Sequence, residues 1–244
     1  MFSIFSSKHT ADLSFIGADM HSHLLPGIDD GLQKMEDTIS FIKQLNRLGY
    51  QKLICTPHIF SGVHPNSPAT ILPVLNSVKE ILRNREIPVI IEAAAEYMID
   101  HEFAQSVKNG DQLLTFGDNY ILIEMSYVAA SSYLNQVIFD LKLAGLQPVI
   151  AHPERYSYYH LQFHNYEELK DRGCLFQVNL LSLCGYYGNP IKKVAEKLLK
   201  NKMIDFVGTD MHHQNHLQTT LKFAEDKKLY KLLENAPLLN KTLL

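Results

Sequence analysis

With 244 residues, 46% of them hydrophobic, the chain can build one sizeable core and falls in the range of about 200–250 residues common for single-domain α/β barrels. Charged residues are 20% and the net charge is only −3, so nothing points to a nucleic-acid surface or a disordered tail. The three cysteines, Cys55, Cys174 and Cys184, form no C-x-x-C pair, so a disulfide framework and a cysteine zinc site are both unexpected and a reducing compartment fits best.

In chain order, the opening MFSIFSSKHTADLS has too short an apolar run before Lys8 for a secretion signal, and no later stretch approaches about 18 uncharged apolar residues. A cytoplasmic protein without membrane insertion is expected. Residues 1–14 read as an N-terminal extension with no assigned role, and residues 15–244 as one domain undivided by repeats or linkers. FIGADMH predicts a first strand. Met35, Ile39, Ile42, Leu45 and Leu48 follow at three- and four-residue spacing and stop at Gly49, which predicts an amphipathic helix. The alternation continues through KLICTPH, a loop from Ser61 to Pro68, a helix near 70–84, PVIIEAAAE, YILIEM, a helix near 131–144, PVIAHP, CLFQVN, a helix near 190–200, and IDFVGTD. These runs are mostly continuous in apolar residues, as parallel strands covered by helices require.

Polar residues fall where the apolar runs stop: Asp19 and His21, His58, Glu96, Glu124, His152, Asn179 and Asp210. In a parallel barrel every strand delivers its C-terminal end to one face, whereas an open sheet gathers only the strand ends near its switch point. A seven-stranded (β/α) barrel is therefore the expected architecture. His21 and His23 are two apart on an extended backbone, so both imidazoles can point the same way at metal-ligand spacing. Asp29 and Asp30 sit in a turn-rich loop where turn and helix-cap duty is the plainer role. A carboxylate at the end of an apolar strand such as YILIE is costly to bury unless a cation or donor neutralises it.

These motifs together resemble the polymerase-and-histidinol-phosphatase (PHP) superfamily, and within it the manganese-dependent bacterial tyrosine phosphatases of capsule and exopolysaccharide synthesis. The resemblance rests on Asp19-Met20-His21-Ser22-His23, Leu25-Pro26-Gly27-Ile28-Asp29-Asp30-Gly31, Thr56-Pro57-His58, Glu96, Ile123-Glu124, Ala151-His152-Pro153-Glu154-Arg155 and Asp210-Met211-His212. It implies a distorted seven-stranded TIM-like barrel and a centre of three divalent ions, manganese with iron or zinc as alternatives. It also implies the ligands: His21, His23, Glu96 and Asp210 for one ion, Glu96, Glu124 and His152 for a second, and Asp29, His58 and His212 for a third. The expected substrate is a phosphotyrosine protein, such as the tail of a polysaccharide-export tyrosine kinase.

Arg155, just beyond His152, suits bidentate binding of phosphate oxygens, with a surface pair to Glu154 as the plainer alternative. His64 follows His58 closely enough to reach substrate, and Asp30 or His64 could serve as a general acid. Tyr156, Tyr158 and Tyr159 read as an aromatic wall or, more commonly, as packing. His213 and His216 read as loop residues. The alternatives are a histidinol-phosphatase-like or other phosphoesterase on the same scaffold, and a non-catalytic metal-binding regulatory protein. A cysteine-based phosphatase is excluded, because the residues six positions beyond Cys55, Cys174 and Cys184 are Ser61, Leu180 and Pro190 rather than arginine.

Overall fold

Apolar side chains at helical and strand periods separate cleanly in the structure, a computed structural model that describes residues 12–244. The expected extension thus lies outside the described residues up to residue 11; beyond it, Leu13 is fully buried and donates its amide to Leu48 O. The strands are β1 (Ala18–Asp19), β2 (Lys52–Cys55), β3 (His58–Ile59), β4 (Ile90–Ala93), β5 (Glu96–Met98), β6 (Tyr120–Glu124), β7 (Gln147–Ala151), β8 (Leu175–Asn179) and β9 (Phe206–Gly208). The helices are α1 (Met35–Arg47), α2 (Pro68–Asn84), α3 (His101–Asn109), α4 (Leu134–Leu143), α5 (His164–Asp171), α6 (Leu180–Cys184), α7 (Asn189–Lys200), α8 (Gln214–Phe223) and α9 (Lys227–Glu234). Helix α1 buries Ile39, Ile42 and Leu45, the stripe predicted from spacing. Helices α3, α5, α6, α8 and α9 were not foreseen; they are short, and a turn or two of helix leaves little periodicity to read.

Every strand pairing is parallel, in a three-stranded sheet of order β1-β2-β4 and a six-stranded sheet of order β3-β5-β6-β7-β8-β9. The seven predicted runs contain the start of every one of these strands except β7, which begins one residue before PVIAHP, but KLICTPH and PVIIEAAAE are each broken in two. Pro57 interrupts the first because it has no N–H for the ladder. Single bonds carry the pairing across the gap, Ala94 N to Cys55 O and Glu96 N to Pro57 O. The described strands therefore form a parallel α/β fold, as expected, while their ladder is split between two sheets rather than closed as one.

The first and last strands also meet. Ser22 and Met211 form a parallel bridge, Asp210 N donates to His21 O, and His23 N donates to Met211 O. Beneath them Thr209 donates its amide and hydroxyl to the two carboxylate oxygens of buried Asp19, at 2.9 and 2.6 Å. Lower still, Asn240 donates to Ala18 O and Val207 O and accepts from Val207 N.

Alternation along the strands divides the core. One set packs outward under the helices, including Leu53, Ile91, Ile123, Ile150, Val178 and Val207. The other packs among the strands themselves: Met20, Ile54, Ala94, Leu122, Val149 and Phe206, one from each of six of the seven runs, with partly buried Leu175 of the remaining run against them. Among the described residues no helix is long and apolar enough to cross a membrane.

Candidate metal centre

The C-terminal strand ends converge on one face, and Glu96 is their hub. Its Oε2 lies 3.1 Å from His21 Nε2, 3.3 Å from His23 Nε2 and 3.3 Å from His58 Nδ1, while its Oε1 lies 2.9 Å from His152 Nε2. Asp210 Oδ1 sits 3.4 Å from His21 Nε2 and 3.4 Å from His212 Nδ1. Glu124 Oε1 reaches His58 Nδ1 at 3.0 Å. His152 and Asp210 have φ of 33° and 49°, a left-handed conformation uncommon outside glycine, and both follow the last residues of strands. Such backbone persists where surrounding contacts over-determine it, and here both side chains meet the cluster, His152 at Glu96 and Asp210 at His21 and His212.

These residues form overlapping groups whose ligand atoms lie within 4.8 Å of one another: His21, His23 and Glu96; His21, His152 and Asp210; His58, Glu96 and Glu124; and His23, Asp30, His58 and His212. The last differs from expectation, which placed Asp29 there. Asp29 instead accepts from His23 Nδ1 at 2.7 Å, from the His58 amide at 3.0 Å and from the Gly31 amide at 3.0 Å, so three of its roughly four lone-pair sites are already used. Asp30 turns the other way, with Oδ1 at 3.6 Å from His58 Nε2 and 3.5 Å from His212 Nε2. Gly31 makes this loop possible: a Cβ there would fall 2.2 Å from His23 O, so only glycine lets the two aspartates pass so close to the first strand.

The donor set fits metal ions. His58 Nδ1, Glu96 Oε1 and Asp210 Oδ1 are buried without a well-formed hydrogen bond; the first faces the Glu96 and Glu124 carboxylates, and the other two face imidazole nitrogens. Burial alone would depress the His21 imidazole, but the Glu96 and Asp210 carboxylates overcome it and lift its pKa to about 9. Burial alone would likewise raise Glu96, yet His21 and His58 hold it well below the usual carboxylate range. The cluster thus calls for positive charge at its centre, which divalent ions on histidine and carboxylate ligands provide.

A cavity of about 500 Å³ opens above the cluster, walled by Phe60, Val63, His64, Tyr127, Arg155 and Tyr187. His64 stacks on His58 with ring centroids 5.4 Å apart. Arg155 does not pair with Glu154, which is buried and bound to Ser182 Oγ and the Asn179 amide. Its Nη1 donates to Asp210 Oδ2 at 3.0 Å, and its guanidinium lies 4.6 and 4.3 Å from the ring centroids of Tyr127 and Tyr187.

Tyr156 is core, its oxygen accepting from Met125 N, so the aromatic wall comes from Tyr127 and Tyr187 instead. Those two carried no motif, and their roles depend on loop placement that spacing does not show. His216 is buried rather than in a loop, its Nδ1 3.0 Å from Asp210 O. Gln177 was also missed: it lies inside an apolar strand, fully buried, 2.7 Å from His21 Nδ1. A lone polar residue in the LFQVN run was the available signal.

A parallel α/β fold carrying an open, histidine- and carboxylate-lined cluster at its strand ends is the architecture of a metal-dependent hydrolase. Within that class the chain belongs to the capsular polysaccharide synthesis CpsB/CapC family, whose model matches residues 17–235. It is 33% identical to the tyrosine-protein phosphatase YwqE of Bacillus subtilis over 230 residues, covering 91% of this chain and 90% of the relative. It is 28% identical to the putative tyrosine-protein phosphatase CapC of Staphylococcus aureus over 221 residues, covering 89% and 87%. A solved structure from work on YwqE of Bacillus subtilis and CpsB of Streptococcus pneumoniae, described as unique metal-dependent tyrosine phosphatases, superposes with a TM-score of 0.78 at 32% identity over 93% of this chain and 95% of that one. A lactonase from Listeria monocytogenes, at 12% identity and a TM-score of 0.54 over 94% and 91%, shares the fold alone.

Proposed function

We propose that this protein is a metal-dependent protein-tyrosine phosphatase in the control of capsular or exopolysaccharide synthesis. The observation that carries the reading is the convergence of nine histidine and carboxylate side chains, with buried lone pairs facing one another, in a family whose curated members are tyrosine phosphatases. We read residues 15–244 as the catalytic domain and its strands as a distorted seven-stranded barrel. The bonds between the first and last strands and the interior cluster drawn from these runs support that reading. We place the protein in the cytoplasm, acting on a phosphotyrosine protein such as the tail of a polysaccharide-export kinase.

Three divalent ions, manganese first among them, are assigned to the site. His21, His23, Glu96 and Asp210 would hold one, Glu96, Glu124 and His152 a second, and Asp30, His58 and His212 the third, with Asp29 orienting His23. Bound divalent ions supply Lewis-acid charge that acidifies water and stabilises the oxygens of an in-line displacement. Arg155 binds the non-bridging phosphoryl oxygens through the N–H groups that Asp210 leaves free, its plane held between two tyrosine rings. His64, at the rim of the cavity, would hold a proton for the leaving group, whereas Asp30, held ionised by His212 and taken up as a ligand, would not. A phenol of pKa about 10 needs little such help, which favours aryl esters over serine phosphates.

The test is a side-by-side comparison of kcat/KM for phosphotyrosine peptide, phosphoserine peptide and histidinol phosphate under saturating manganese. Phosphotyrosine should lead by at least tenfold, about 1.4 kcal/mol of transition-state discrimination. A tenfold preference for histidinol phosphate would move the protein to the histidinol-phosphatase branch. No turnover of any ester with full metal occupancy would support the non-catalytic alternative.

A further inference from the structure

Strand β8 contributes no residue to the ligand groups, yet its inward face carries two fully buried amides, Gln177 and Asn179. We propose that they form a hydrogen-bond relay of fixed polarity that sets the tautomer of His21 and the aim of Asp210, which makes them positioning residues of the metal centre. The inference rests on the metal-centre reading given above.

The polarity follows from the two ends. The backbone N–H of His152, which can only donate, meets Gln177 Oε1 at 3.2 Å, so that end of the amide is the oxygen. The same oxygen lies 2.7 Å from His21 Nδ1, so Nδ1 carries the proton when the ring is neutral. His21 Nε2 then presents a bare lone pair toward Glu96, 3.1 Å away. At the far end Asp210 Oδ2 can only accept when ionised, and Asn179 Nδ2 stands 2.6 Å from it, so Asn179 offers its oxygen to Gln177 Nε2 at 2.8 Å. The two ends determine the amide orientations independently, and they agree.

The relay also divides the labour of the Asp210 carboxylate. Oδ2 accepts from both Asn179 and Arg155, whereas Oδ1 is buried without a hydrogen bond and faces the histidines. Two neighbours hold the relay in place. The backbone N–H of Asn179 donates to Glu154 Oε1 at 3.0 Å, and Gly208 on β9 leaves the room the relay needs. A Cβ at Gly208 would lie 2.7 Å from His21 Cβ and 2.9 Å from Gln177 Nε2. Packing alone would be served better by apolar side chains at these depths, since a buried amide costs free energy unless every polar atom is matched. Partners that hold the far nitrogen of a metal-ligating histidine set its tautomer and typically change metal affinity 10- to 100-fold.

The experiment uses the full chain, labelled with ¹⁵N-histidine and loaded with diamagnetic zinc. Long-range ¹H–¹⁵N correlation should show His21 protonated at Nδ1. Titration of zinc into metal-free protein should show roughly 10- to 100-fold weaker binding for Gln177→Met and for Asn179→Asp, with an unchanged circular dichroism spectrum. A His21 ring protonated at Nε2 in the wild type, or zinc affinities within twofold of wild type in the folded variants, would overturn the relay. Should Gln177→Met not fold, the isosteric Asn179→Asp variant and the wild-type tautomer still decide it. Wild-type protein that takes up no zinc would overturn the metal centre itself, whereas normal uptake unaffected by either variant overturns only the relay.

Discussion

Adjacent residues with the same chemistry do different work here. Asp29 and Asp30 are neighbours and both acidic, yet Asp29 spends its oxygens on His23 and two amides while Asp30 faces His58 and His212. Metal analysis of the two asparagine variants should separate them: Asp30→Asn loses about one equivalent, and Asp29→Asn keeps its metal with affinity weakened roughly 10- to 100-fold, as for partners of ligating histidines. Glu96 touches four histidines, so Glu96→Ala should lower bound metal by more than one equivalent in the same assay. Arg155→Lys should keep the metal content and raise KM for aryl phosphates about tenfold, because an ammonium cannot replace a planar, bidentate donor held between two rings. Unchanged kinetics would remove Arg155 from the phosphate site.

At the scale of elements, the ladder between the first and last strands is sparse, and side chains stitch the seam that backbone bonds leave open. Asn240, fully buried, makes three bonds to Ala18 and Val207, from a short helical turn at the end of the described chain. Alanine there leaves two carbonyls and an amide without partners, each costing about 1–3 kcal/mol if water cannot reach it. Urea unfolding of Asn240→Ala should show a loss of about 3 kcal/mol or more with m unchanged. A loss under about 0.5 kcal/mol would mean the seam does not depend on this residue. Nothing in the run PLLNKTLL announces the role, since one asparagine in a terminal segment has no period and its partners are over 30 residues away.

For the whole molecule, metal binding and stability are one equilibrium, because the cluster gathers like-charged carboxylates that only the folded chain brings together. Chelation should abolish phosphatase activity and lower the melting temperature by about 5–10 °C for each site emptied, from roughly 2.7 kcal/mol per site at a hundredfold metal excess. Thiol alkylation should leave most activity intact. Burial pushes the Cys55, Cys174 and Cys184 thiols up to about 12, so they stay protonated and unreactive near neutral pH. Loss of activity on alkylation at full metal occupancy would contradict the proposed chemistry.

The sequence by itself determined the parallel α/β class, seven strand runs and the residues at their ends, because burial enforces an unbroken apolar run and function shows as the polar residue that stops it. His21, His23, His58, Glu96, Glu124, His152, Asp210 and His212 were legible in that way. Only the tertiary structure decided which aspartate of the pair faces the cluster, that Arg155 lies between Tyr127 and Tyr187 on Asp210, and that Gln177 and Asn179 hold the centre from behind. It also decided how the ladder divides and where the seam is tied. Those features are distances between residues far apart in the chain, set by which way a side chain leaves its backbone, and neither spacing nor composition encodes a direction.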